Sequence, residues 1–151
     1  MKIVIGFLVI LICTILGNLF SQKYRLKKNI FVDFEGFNTK LKNEVMFSHD
    51  TLWSIFSTID DGEFKNALKI FLESGQVVKI KCFDVNEQDF FTNYLKNIGN
   101  FDGRTQLNFI NSIEGRLKEY LSTSINNELK YKNLYLKLGL LVGLIVFILL
   151  I

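Results

Sequence analysis

The sequence contains no proline and a single histidine in 151 residues, and both shortages exclude structures. Proline is the usual punctuation of loops and edge strands. Without it, long periodic stretches read as helices joined by short turns, and proline-rich linkers and collagen-like repeats are ruled out. Two cysteines, Cys13 in a terminal apolar run and Cys82 in the interior, do not make a disulfide framework. One imidazole, His49, and one interior cysteine cannot supply the three or four convergent ligands of a His/Cys metal site. A Cys-His or Ser-His catalytic pairing would need His49, which sits in an expected turn between Ser48 and Asp50, the setting of a solvated histidine. No GxxxxGK[ST] phosphate loop occurs. No metal and no cofactor is expected.

What the sequence has in abundance is apolar residues, 49% of the chain, and they are concentrated at its ends. Residues 3–20 carry no charge; as a helix they reach about 27 Å, close to the hydrocarbon thickness of a bilayer. A cleavable signal peptide is the competing reading, but the run exceeds the usual apolar region and no A-x-A-like site follows. Residues 138–151 are equally apolar, and extending the run back to Leu134 includes one charge, Lys137, which can snorkel to headgroups. Tyr131 and Tyr135 supply interfacial aromatics beside it. The expected layout is an N-terminal transmembrane helix over residues 1–20, a cytoplasmic helical domain over 21–133 and a C-terminal transmembrane helix over 134–151.

Charge sets the expected orientation. Lys23, Arg25, Lys27 and Lys28 form a collar of +4 after the first run, and Lys130, Lys132 and Lys137 against Glu128 leave +2 around the start of the second. The intervening residues 31–127 are net −4. Both collars flank the same interior segment, so the positive-inside rule places that segment in the cytoplasm and both termini across the membrane. The basic residues suit anionic headgroups better than nucleic acid.

Periodicity organises the interior. Leu26, Ile30, Phe34, Phe37, Leu41 and Val45 lie on one helical face that continues out of the first apolar run. Leu52, Ile55, Phe56 and Ile59 form a short amphipathic helix ending at Asp60, Asp61 and Gly62. Phe64, Ala67, Leu68, Phe71 and Leu72 form the next, closed by Gly75 where a left-handed cap is wanted. Residues 76–85 alternate like a strand, but a lone strand cannot satisfy its backbone, and a helix is the expected state. Asn86 with Asp89 resembles a capping pair opening a helix that ends at Gly99. From Asp102, a candidate N-cap, the stripe of Leu107, Ile110, Ile113, Leu117, Leu121 and Ile125 leads without a breaker into the second apolar run. The expected fold is all-α, an antiparallel helical bundle whose terminal transmembrane helices are continuous with it, with interlocking phenylalanines in its core.

Three further features carry functional readings. Gly139 and Gly143 form GxxxG, which lets membrane helices approach closely. Trp53, the single tryptophan, is either the edge of the core or an anchor for a partner. Asp60, Asp61 and Glu63 are the one acidic group that a small membrane enzyme could use, although carboxylates at a helix boundary also favour the helix N-terminus.

Several segments resemble one known family. The ending YKNLYLKLGLLVGLIVFILLI, with Tyr135, Leu138, Gly139 and Gly143, is similar to the close of stage III sporulation protein AB. Leu95, Ile98, Gly99, Asp102 and Gln106 resemble its LG-x-x-D-x-x-x-Q segment, and Lys23-Tyr24-Arg25 and Glu44, Val45 and Phe47 also match its pattern. The family's usual proline after the first soluble helix is replaced by residues 48–51. The resemblance implies a non-enzymatic mother-cell membrane subunit of the channel complex joining mother cell and forespore. It further implies a domain similar to type II secretion F platform domains, with the stage III AA-type cytosolic ATPase and other membrane subunits as partners. Self-association is left open.

Overall fold

The computed structural model describes residues 2–47, 52–100 and 102–150. The described residues are about 86% helix, with no strand among them. Among the described residues five helices follow in order: α1 (Lys2–Phe47), α2 (Leu52–Ser57), α3 (Glu63–Ser74), α4 (Val85–Asn97) and α5 (Gly103–Leu150). The expected turn holding His49 lies outside the described residues. The chain divides into two compact units, one of Met1–Leu26 with Ser124–Ile151 and one of Lys27–Thr123.

The interior unit is organised by the periodic faces. Ile30, Phe34, Phe37 and Leu41 of α1, Phe64, Ala67 and Leu68 of α3, and Ile110, Ile113 and Leu117 of α5 are all buried. Phe34 is the hub: its ring meets Phe64 at 5.5 Å, Phe91 edge-on at 5.6 Å and Tyr94 edge-on at 4.5 Å. Such edge-on pairs add to area burial because the positive ring edge faces a negative ring face. The stripes fade where this unit ends: Leu26 is 40% and Ile125 38% exposed. Periodicity alone had placed both on the core face; at those positions this core no longer has a surface to bury them.

Residues 76–84 correct the expectation for this stretch, since they are neither helix nor strand. The rule that an unpaired strand cannot satisfy its backbone holds, but a side chain meets the demand. The Ile80 N–H donates to Gln88 Oε1 at 2.9 Å, and Gln88 Nε2 donates to the Val78 carbonyl at 3.2 Å. One glutamine amide thus occupies the place of a neighbouring strand. Held this way, Ile80 is 1% exposed and Phe83 stacks on Phe31 at 4.8 Å, so the segment straps the core.

The start of α4 is a second correction. The cap is Asp84, not Asn86: Asp84 Oδ1 accepts the Glu87 N–H at 2.9 Å while Glu87 Oε2 accepts the Asp84 N–H at 2.9 Å. This reciprocal box satisfies two of the otherwise unpaired N-terminal donors. Glu87 cannot turn to solvent from there and is 4% exposed; Lys27 of α1 neutralises it at 2.6 Å.

Gly75 ends α3 as expected, in the left-handed region at φ 70°, its N–H bonded to the Phe71 carbonyl. Gly99 also lies at positive φ, 77°.

Candidate functional site

The terminal unit is built from the apolar ends of α1 and α5. By length and composition, one helix among the described residues can cross a membrane: Gly103–Leu149, whose most apolar window has mean hydropathy 1.9 and is 6% buried. Glycines set how closely the two segments pack. A Cβ on Gly139 would lie 2.7 Å from the Cys13 carbonyl oxygen, and one on Gly143 would lie 2.9 Å from Ile10 Cα. Gly17 provides the reciprocal gap on α1, where a Cβ would lie 2.5 Å from the Tyr135 carbonyl oxygen. The pairs 10 with 143, 13 with 139 and 17 with 135 run in antiparallel order. Gly139 and Gly143 therefore contact this chain's own α1. Gly17 was not singled out in the sequence because no second glycine stands four residues away.

Aromatic rings follow the glycines. Tyr24 stacks on Tyr131 with centroids 4.3 Å apart and planes at 12°, and Tyr135 lies 6.2 Å from Phe20 and 6.3 Å from Tyr24. Lys23 Nζ stands 4.9 Å from the Tyr24 ring, and Lys130 Nζ 5.7 Å from that of Tyr131, cation–π distances in both cases. Two collar residues thus sit against the aromatic group. Arg25, Lys132 and Lys137 are exposed, and Lys28 is half-buried. Lys27 departs from the expected headgroup role, because its ammonium is committed to buried Glu87 in the interior unit.

In the interior unit, Trp53 on α2 is 49% exposed and meets Phe56 edge-on at 5.4 Å. It stands at the surface of the core rather than inside it. The acidic group is dispersed in role. Lys65 bonds Asp61 at 2.9 Å and holds its carboxyl below the usual carboxylate range. Glu63 occupies the first turn of α3, where the helix dipole favours it. Asp60 is exposed, and it adds to the burial that raises the carboxyl of nearby Asp33. Cys82 is a free thiol pushed up to about 11 by burial and then by the charge of Glu63. Cys13 is also a free thiol. Among the described residues no group of three or more His, Cys, Asp or Glu is placed to hold a metal ion.

A second charged cluster was not anticipated. Glu114 of α5 bonds Lys42 of α1 at 2.9 Å and Lys118 at 2.5 Å, and these two hydrogen bonds hold its carboxyl down at about 2. Lys118 is correspondingly raised. The Glu114–Lys118 spacing was visible as i,i+4; the third member, 72 positions away, was not.

The turn from α4 to α5 assembles residues of the LG-x-x-D-x-x-x-Q resemblance. Gln106, 4% exposed, accepts the Gly99 N–H through Oε1 at 3.0 Å, and its own N–H donates to the Asp102 carbonyl at 2.8 Å. The family described as stage III sporulation protein AB matches residues 73–151, which cover α4, α5 and the strap before them. No curated protein and no solved structure matches the chain.

Proposed function

Since the chain belongs to the stage III sporulation protein AB family, we propose that this sporulation protein is a membrane-anchored platform subunit of a secretion-like channel complex between mother cell and forespore. In this reading it is no enzyme. It resembles a type II secretion F platform domain and gives a cytosolic secretion ATPase of the stage III AA type a fixed surface to act on. The observation that carries the reading is the family match through an α5 whose apolar stretch is long enough for a bilayer and almost wholly uncovered by the rest of the chain.

Residues 3–20 are the second anchor in this proposal, and the interior helices form an antiparallel bundle. Leu8, Leu11, Ile12, Ile15, Leu16, Leu19 and Phe20 are each 47–65% exposed, a continuous apolar surface that water would not favour and lipid would. The collars Lys23, Arg25, Lys28, Lys130, Lys132 and Lys137 support an orientation with the interior unit in the cytoplasm, on the mother-cell side in this proposal, and both termini outside. The docking face lies on the acidic stretch of residues 31–127, net −4, with Trp53 as anchor. The first-turn position of Glu63 in α3 and the pairing of Asp61 with Lys65 support a structural rather than catalytic use of the acidic group.

The test is binding of the full-length chain, reconstituted in lipid nanodiscs, to the purified AA-type ATPase. Saturable binding at low ionic strength that weakens for Trp53→Ala is expected. No binding at any ionic strength would remove the platform role. Loss of a chemical activity on Asp60→Asn with Asp61→Asn would favour the enzyme instead.

A further inference from the structure

Beside the contact that Gly139 makes with Cys13 and Thr14, α5 and α1 border a groove with its own chemistry. Leu136, Leu140, Leu141 and Leu144 line it together with Thr14 of α1, and Lys137 stands at its rim; its volume is about 490 Å³. Leu140, Leu141 and Leu144 are 50%, 53% and 43% exposed. The Thr14 hydroxyl proton is already committed, since Oγ1 donates to the Ile10 carbonyl at 2.8 Å. The small residues that let a helix backbone come close are already used at the adjoining α1 contact, where Gly139 and Gly143 meet Cys13 and Ile10. A leucine-lined groove of this kind suits a slender, flexible apolar chain better than a second helix. The only charge on it is a cation at the end nearer Lys130 and Lys132, so the apolar chain should end in an anion.

We infer that this groove holds an acyl chain of an anionic phospholipid, whose phosphate pairs with the Lys137 ammonium. The inference rests on the proposed membrane insertion of α5. It accounts for a charge inside an apolar run: Lys137 needs only its flexible stem to reach the phosphate, and the lipid chain lies along about 12 Å of helix from Leu136 to Leu144. The site would select the headgroup by charge and the tail by length and fit.

The full-length chain is reconstituted into phosphatidylcholine vesicles, and the motionally restricted fraction of spin-labelled phosphatidylglycerol is compared with that of spin-labelled phosphatidylcholine. The wild-type chain should prefer phosphatidylglycerol about fivefold, the effect of one lysine at a lipid surface. Lys137→Gln should bring the ratio near one, while Lys132→Gln should leave most of it. Leu140→Trp, which fills the groove, should abolish the restricted component for both lipids. Equal losses from Lys137→Gln and Lys132→Gln would overturn the site in favour of diffuse attraction. Crosslinking of Leu144→Cys chains into a dimer would overturn it in favour of a second copy. Vesicle flotation separates the levels: a chain that floats without preference refutes the groove alone, and one that does not float refutes the membrane reading with it.

Discussion

Gln106 accepts the backbone N–H of Gly99 at 3.0 Å, closing the turn between α4 and α5 with one side chain. Gly99 is held at φ 77°, and a Cβ there would lie 2.8 Å from Leu52 Cδ1. The glycine and the glutamine are thus two parts of one device: the first permits the backbone conformation, and the second satisfies the donor that this conformation leaves over. Gln106→Ala should cost about 0.5–1.5 kcal/mol, the net worth of an ordinary hydrogen bond, since Gly99 itself is exposed. Gly99→Ala should destabilise as well, through its positive φ. Denaturant midpoints of the full-length chain in detergent would show both losses. An unchanged midpoint for Gln106→Ala would mean that water replaces the bond.

The strap over residues 76–84 should depend on Gln88 in the same way. Gln88→Met keeps the length but removes both polar contacts, so the Ile80 amide should lose its protection from hydrogen exchange, with a stability cost of about 1–3 kcal/mol. The Phe91 amide, within α4, serves as the internal reference. If Ile80 exchanged no faster in the variant, the mock strand pairing would not be what holds it.

Acid should weaken the Glu114 cluster in a definite window. The carboxyl titrates at about 2 in the folded protein against an ordinary 4.5. Folding therefore favours its ionised form. The contribution is fully present above about pH 4.5 and is lost as the pH falls through about 2. Both partners are partly exposed, which limits the contribution to about 1 kcal/mol and makes it salt-sensitive. The stability gap between wild type and Glu114→Gln should close over that range. A gap unchanged at pH 2 would contradict the pairing.

Close approach of the terminal helices predicts which glycines resist substitution. Gly139→Leu would drive a side chain into the Cys13 carbonyl, and backbone cannot yield as a side-chain tip can. A loss of about 1–3 kcal/mol is expected, read as a lowered unfolding temperature in detergent. A Cβ on Gly36 would meet nothing within 4 Å, so Gly36→Ala should be neutral or slightly stabilising. Comparable losses at both positions would refute the packing argument.

Cys82 should react slowly with thiol reagents while the protein is folded. Its thiol is pushed up to about 11 from 9.0, leaving roughly a hundredfold less thiolate at neutral pH. Denaturation should restore the ordinary alkylation rate at this position, measured in a Cys13→Ser background. Equal rates in the two states would contradict the burial.

Some of this was legible in the residue order alone. An unbroken helical period without proline or interior caps foretold that α1 and α5 would be long, and Gly75 foretold a left-handed helix end. Asp84-x-x-Glu87 also had the form of a capping box, but the stretch before it alternated like a strand and drew attention to Asn86. The acidic stretch from Asp60 to Glu63 was visible too, though its members serve separate local partners.

What the sequence by itself determined is what near neighbours and composition control: helix type, the apolar ends, the basic collars and the turn glycines, all set by period, hydration and local sterics. Tertiary structure decided the rest, because those choices depend on partners distant in the chain. It assigned Lys27 to Glu87 rather than to headgroups and Lys42 to Glu114. It left Leu26 and Ile125 exposed despite their period. It also fitted Gly17, Gly139 and Gly143 against opposing backbone. In each case the energy belongs to a contact that no sequence window contains.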